Sequence, residues 1–177
     1  MISLALVKRE LAGSLLMPPG MKVLPKSILV PTDFSEPANE ALEYALALAE
    51  QIGAKVTLLH TYDIPIVGFP DGALVATADI VGRISMSAQE ALNAVVASHK
   101  HRPVALRSVL KTGDPREVIH TVAKDVDADL IVMGTHGRRG LSRALLGSVT
   151  EYIVRTAAGP VLTVRGTHSV LKAAEVT

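Results

Sequence analysis

The chain has 177 residues, 49% of them apolar and 20% charged, with a formal net charge of +1. It is long enough for one well-buried domain and short for two, its composition is globular, and its near-neutrality argues against nucleic acid or an anionic membrane as partner. There is no Cys or Trp and only 3% aromatic residues, which removes disulfides, thiolate metal sites and thiol catalysis, fits a cytoplasmic location, and leaves Val, Leu, Ile and Ala to build the core, as in parallel sheets covered by helices.

The apolar run Ile2–Val7 is broken at once by Lys8, Arg9 and Glu10 and has no basic region ahead of it, so a secretory signal is a poor reading. No uninterrupted run approaches the ~20 apolar residues that cross a bilayer. Pro18-Pro19-Gly20 separates the start of the chain from the first strand-like run. Residues 1–25 therefore read as an extension, loose or forming a short docking helix, with Met21 an alternative start.

Ser27–Pro31 reads as the first strand. Ser35 stands at an N-cap position with Glu36 and Pro37 in the first turn, and Ala38, Ala41, Leu42, Ala45, Leu46, Ala49 and Ile52 recur at helical spacing up to a stop at Gly53. Val56–Thr61 is the second strand. Asp63–Gly82 holds Pro65, Gly68, Pro70, Gly72 and Gly82 without a clean period and reads as a long irregular connection. A helix over about Ile84–His99 comes next, turning Ala88, Ala91, Leu92 and Val95 inward, and Val104–Leu110 is the third strand. Asp114 then caps a helix with Pro115 at its first position and Glu117 completing a capping-box pattern. Leu130–Met133 is the fourth strand, Ser148–Ala157 the last helix, Gly159-Pro160 its stop, and Val161–Val164 the fifth strand. This alternation predicts a single α/β module between Lys26 and about residue 166, with a five-stranded parallel sheet, helices on both faces, and a tail over residues 167–177.

In open sheets of this kind, ligands sit beyond the carboxyl ends of the strands, where the strand order reverses. Two strand ends carry unusual residues: Pro31-Thr32-Asp33, and Gly134-Thr135-His136-Gly137. They line one crevice if their strands are neighbours, an adjacency that periodicity does not supply. Gly134 and Gly137 are separated by two residues, and nine more lead to Gly147-Ser148. Glycines let backbone N–H groups approach an anion, a helix start at Ser148 favours phosphate, and Arg138, Arg139 and Arg143 add positive charge. Taken singly, these features are also what turns, caps and solvated faces look like.

As a set, Pro31-Thr32-Asp33-Phe34-Ser35, Met133-Gly134-Thr135-His136-Gly137, Leu146-Gly147-Ser148-Val149-Thr150 and Gly159–Val164 resemble the universal stress protein family. The likeness runs from Lys26 to Arg165. In ATP-binding members the loop has the form Gly, two residues, Gly, nine residues, Gly-Ser/Thr, which Gly134, Gly137, Gly147 and Ser148 match without a gap. The resemblance implies a three-layer, Rossmann-like α/β/α fold with the first and fourth strands side by side. Asp33, with Pro31 and Thr32, would contact the adenine and ribose side, and Thr61 would lie beside the base. Met133, Gly134, Thr135, His136, Gly137, Arg138, Arg139 and Gly140, with Gly147, Ser148, Val149 and Thr150, would cradle ribose and phosphates. The cofactor implied is ATP, with Mg2+ or Mn2+ held mainly by the phosphates. The family's dimers imply a homodimer through the last strand, Val161–Val164, with larger oligomers left open.

ATP binding does not entail hydrolysis. The loop lacks the Walker A spacing and its Lys-Ser/Thr ending, and it lacks the spacing of dinucleotide enzymes. His136 is more readily a hydrogen-bond donor than a base, His60 a satisfied structural histidine, and His99 and His101 a solvated helix end. No His/Asp/Glu spacing suggests a protein-held zinc, and no nucleophile elbow is present. The reading is a nucleotide-dependent stress-response or signalling module, with no catalytic residue assigned. A slow ATPase or nucleotidyl-transfer enzyme on the same fold, and a structural dimer without nucleotide, are the alternatives.

Overall fold

The apolar run at 27–32 alternates its side chains between two covered faces, which places β1 (Ser27–Thr32) inside the sheet rather than at an edge. In this computed structural model the described residues are 24–64, 66–69, 72–75, 78–135 and 146–165. After β1 the chain runs through α1 (Glu36–Ile52), β2 (Lys55–Tyr62), β3 (Ile66–Phe69), β4 (Gly72–Val75), α2 (Ala78–Ser98), β5 (Leu106–Thr112), α3 (Pro115–Asp125), β6 (Leu130–Gly134), α4 (Ser148–Thr156) and β7 (Val161–Val164). Five strands form one sheet in the order β5-β2-β1-β6-β7, all parallel, and β3 and β4 form a separate antiparallel pair.

Ile28, Val30, Val56, Leu58 and Val132 pack under α1 and α2, meeting Ala41, Leu42, Ala45, Leu46 and Leu92. Leu29, Leu59, Ile131 and Met133 pack on the opposite face under α3 and α4, meeting Ile119, Val122 and Ile153. The alanines on α1 let the helix lie close on the sheet. Gly53 ends it in the left-handed region at φ 71°, and its N–H donates to the Ala49 carbonyl at 2.8 Å.

Several expectations need correction. Asp63–Gly82 is not an irregular connection: it contains the β3–β4 hairpin, in register from Ile66↔Val75 to Phe69↔Gly72, and α2 begins at Ala78 rather than Ile84. Four-residue strands are too short for an apolar period to register. The third strand of the sheet is displaced by two residues, because its ladder with β2 starts at Val56↔Leu106 and carries Lys111 and Thr112 along to Tyr62. Asp114 does cap α3, its Oδ1 accepting from the Arg116 N–H at 2.9 Å, but the capping box does not close, since the Glu117 carboxylate accepts from the Tyr152 hydroxyl at 3.3 Å. At α1, Ser35 holds the N-cap position without a side-chain cap bond. Met1–Val23, Pro65, Pro70 and residues 166–177 lie outside the described residues.

Candidate functional site

Strand order reverses between β1 and β6: from β1 the chain moves outward to β2 and β5, and from β6 outward to β7. A crevice at the carboxyl ends of these two strands is what such a reversal leaves, and the residues there open it further. The Lys26 carbonyl accepts from the Lys55 N–H at 2.9 Å, and the Ser27 carbonyl from the Asp129 N–H at 2.8 Å. Peptide groups at 27, 29 and 31 therefore face β6, because hydrogen-bonding direction alternates along a strand. Pro31 has no N–H to give there. The β1–β6 ladder accordingly stops after Leu29↔Ile131, although β1 continues to Thr32 and β6 to Gly134.

On the β1 side the chain makes two side-chain-supported turns in succession. Thr32, 9% exposed, accepts the Phe34 N–H on Oγ1 at 2.9 Å. Asp33 accepts both the Ser35 N–H, at 3.0 Å, and the Ser35 hydroxyl on Oδ1. The hydroxyl expected to cap α1 is thus spent on the Asp33 carboxylate. Phe34 sits at φ 62°, a region that aromatic residues rarely occupy.

On the β6 side, Gly134 is closed in by α1. A Cβ there would lie 2.7 Å from the carbonyl carbon and oxygen of Pro37, so glycine is required for packing whatever ligand is bound. The Thr135 N–H donates to the Val164 carbonyl at 3.0 Å, which fixes the end of β6 against β7. Two bonds then tie the start of α4 to the end of β6: the Gly147 N–H donates to the Thr135 carbonyl at 2.7 Å, and the buried Thr150 hydroxyl donates to the Gly134 carbonyl at 2.9 Å. Helix geometry leaves the N–H groups of Ser148, Val149 and Thr150 without a carbonyl one turn below them, and the helix dipole adds partial positive charge at that end.

The structure therefore brings Pro31, Thr32 and Asp33 to the end of one strand, and Gly134, Thr135, Gly147, Ser148 and Thr150 to the end of its neighbour. Met133 points into the core beneath α3 and α4 rather than into the crevice, and Val149 packs partly against the same cluster. Thr61 is near the end of β2, one strand from β1, half-buried and opposite Lys111. His136, Gly137, Arg138, Arg139, Gly140 and Arg143 lie outside the described residues. Two residues have a place at the site that sequence alone does not give them: Pro37, which reads as a first-turn residue, closes on Gly134, and His60, which reads as a satisfied structural histidine, sets its ring 4.4 Å from that of Phe34. The strand register exposes the second, because Thr32 and His60 are opposite one another at the ends of β1 and β2. Among the described residues no group of three or more His, Asp or Glu side chains could hold a metal ion, and no helix is long and apolar enough to cross a membrane.

A family model described as the universal stress protein family matches residues 25–165 of the chain. The universal stress protein MJ0531 of Methanocaldococcus jannaschii is 36% identical over 142 residues, which cover 79% of this chain and 82% of that one. A second protein of the same organism, universal stress protein MJ0577, is 29% identical over 162 residues, covering 84% of this chain and 100% of that one. The solved structure of MJ0577 superposes with a TM-score of 0.67 over 81% of this chain and 97% of that chain. A universal stress protein solved in complex with cAMP has the same fold at 23% identity, with a TM-score of 0.61 over 81% and 99% of the two chains.

Proposed function

The chain belongs to the universal stress protein family, and from that premise we propose that it binds an adenine nucleotide, ATP first among them, as a nucleotide-dependent stress-response or signalling module. The observation that carries this reading is the pairing of two lips across the β1–β6 crevice. One is Asp33, held in a turn by Ser35, and the other is the start of α4, bonded to the end of β6 through Gly147 and Thr150. The first offers a carboxylate suited to ribose hydroxyls. The second offers peptide N–H groups and a helix end suited to phosphate. The spacing of Gly134, Gly137, Gly147 and Ser148 supports the same assignment, as does a protein of the same fold that holds cAMP. Mg2+ or Mn2+ would enter on the phosphates.

The reading extends to the assembly and its place in the cell. The nucleotide domain is residues 26–166, and the chain works in the cytoplasm as a homodimer joined through β7, whose far edge has no partner strand among the described residues.

The test is the nucleotide content of freshly purified protein by mass spectrometry, followed by melting curves with and without Mg-ATP. Ligand at about a hundred times its Kd adds roughly 2.7 kcal/mol, or about 5–10 °C for a domain of this size. Gly147, at φ −58° and ψ 149°, can accept a side chain without backbone strain, so Gly147→Val should remove the shift and leave the far-UV circular dichroism unchanged. No nucleotide and no shift in a well-folded protein would refute the assignment. Steady ADP release would add hydrolysis to it.

A further inference from the structure

The residue that connects the two central strands above the sheet is His60. Its Nδ1 lies 2.8 Å from the Thr32 carbonyl oxygen. A carbonyl oxygen only accepts, so Nδ1 carries the hydrogen and donates it. Its ring also lies against the Phe34 ring, with centroids 4.4 Å apart and planes tilted by 43°. Phe34 in turn donates its N–H to the Thr32 hydroxyl at 2.9 Å. These three contacts close a loop through Thr32, Phe34 and His60, and the residue that they bracket is Asp33.

That loop has a strained member. Phe34 is at φ 62°, a conformation that persists in a non-glycine residue only where its surroundings hold it. Local bonds hold the backbone, with the Phe34 N–H on Thr32 Oγ1 and the Ser35 donors on the Asp33 carboxylate, and they leave the Phe34 ring to tertiary contacts. The ring packs partly on the core cluster beneath α1 and α2 and, beside it, against a side chain from a different strand. His60 projects from β2, opposite Thr32 in the β1–β2 register, on the face of the sheet that α1 and α2 cover.

We propose that His60 is a positioning residue for the nucleotide: by donating to the Thr32 carbonyl and backing the Phe34 ring, it fixes the turn on which Asp33 stands, without itself touching the ligand. The inference rests on the nucleotide reading given above. It adds a cross-strand device that keeps the ribose-side lip of the crevice in its binding conformation before ligand arrives. The alternative is that His60 merely fills space under α1. Its removal would then lower the melting temperature and leave affinity alone.

The experiment titrates the full chain with Mg-ATP and, separately, with adenosine, by calorimetry, for the wild type, His60→Leu and His60→Asn. Leu fills the space without a donor, whereas the Asn side-chain nitrogen stands where Nδ1 stands and keeps the hydrogen bond. His60→Leu should weaken ATP and adenosine by the same factor, about five- to tenfold, the scale of one lost hydrogen bond. The ratio of the two affinities should not change, because the phosphate lip is untouched. His60→Asn should recover most of the loss. Equal affinities for wild type and His60→Leu would overturn the inference, and so would a loss confined to ATP or an Asn variant as weak as Leu. If His60→Leu does not fold, His60→Phe decides in its place, since it keeps a ring against Phe34 and has no donor: a fall of about fivefold or more in both affinities is expected, and wild-type affinity in that folded variant overturns the donor role. A wild-type chain that binds neither ligand overturns the nucleotide reading itself, a result distinct from one in which wild type binds and the variants match it.

Discussion

The close approach of α1 to the end of β6 makes a prediction about stability that does not depend on any ligand. In Gly134→Ala the new Cβ would stand 2.7 Å from the carbonyl carbon and oxygen of Pro37 and 3.0 Å from its Cβ, where ordinary contact begins at 3.4 Å. Relief requires about 0.7 Å of movement between the first turn of α1 and the strand. Both are backbone, so no side chain can rotate away. Nor can α1 lift off freely, because Ala41, Ala45 and Leu46, each 0% exposed, lie directly on β1, β2 and β6, and a shift of that size opens voids beneath them. Overpacking of this kind costs about 1–3 kcal/mol, which corresponds to a fall in melting temperature of about 3–10 °C. The assay is thermal unfolding followed by circular dichroism without nucleotide. Gly159→Ala serves as the control, since a Cβ there meets nothing within 4 Å. A Gly134→Ala protein that melts within a degree of wild type would refute the packing argument and return Gly134 to the role of a loop glycine.

Three further outcomes rest on the same geometry. Thr150→Val keeps the shape of a side chain that is 5% exposed but leaves the Gly134 carbonyl without its hydroxyl donor; a loss of about 1–3 kcal/mol is expected in urea titration, and an unchanged midpoint would contradict it. On β7 the carbonyls of Pro160 and Val164 face β6, so the peptide group of Thr163 faces away from it; for the homodimer proposed through β7, Thr163→Pro should therefore spare the sheet and give a monomer by light scattering, whereas a variant that still dimerises, or a wild type that is monomeric, would contradict that interface. The Arg116 side chain, through its hydrogen bonds to Asp114, holds that carboxyl below its ordinary value of 3.8. A depressed folded-state pKa gives stability that is present above the unfolded value and lost as pH falls through the folded one. Asp114→Asn should then lie below wild type in stability at pH 7 and converge with it in the acid limb, and parallel curves throughout would exclude the pair as a source of acid sensitivity.

The sheet is legible in the sequence because its signals are redundant. Each parallel strand is a short apolar run bounded by turn residues, and each of α1, α3 and α4 starts at a Ser, Asp or Gly position and stops where the apolar spacing ends. The order of the strands is not legible from periodicity, which describes one element at a time. It comes from the family resemblance. The hairpin escapes for the opposite reason, since β3 and β4 are too short for alternation to stand out and Gly68 and Gly72 read as breakers. A signal is available in Pro70-Asp71-Gly72, a turn sequence between two short apolar runs. The early start of α2 is hidden by composition, because Gly82 interrupts the helical pattern near its first turns.

At the site, sequence locates the residues and misassigns some of their work. Gly134 reads as a glycine free to approach an anion, yet its missing Cβ is what lets Pro37 close in, a fact visible only once α1 is laid across β6. Ser35 reads as a cap, but its hydroxyl turns back to Asp33. The five residues Pro31 to Ser35 each contribute a different physical element. Pro31 ends the ladder with β6, Thr32 receives the Phe34 amide, Phe34 takes a backbone conformation its side chain disfavours, and Ser35 orients the carboxylate of Asp33. A propensity scale scores three of these against regular structure and finds a loop. Local sequence preference and the observed backbone conflict most sharply at Phe34, and such conflicts concentrate at functional sites because only a wider set of contacts can hold them. Here that set reaches across to His60 on β2 and, through Thr32, back into the core, so the conformation of the crevice is a property of the packed sheet rather than of the loop that lines it.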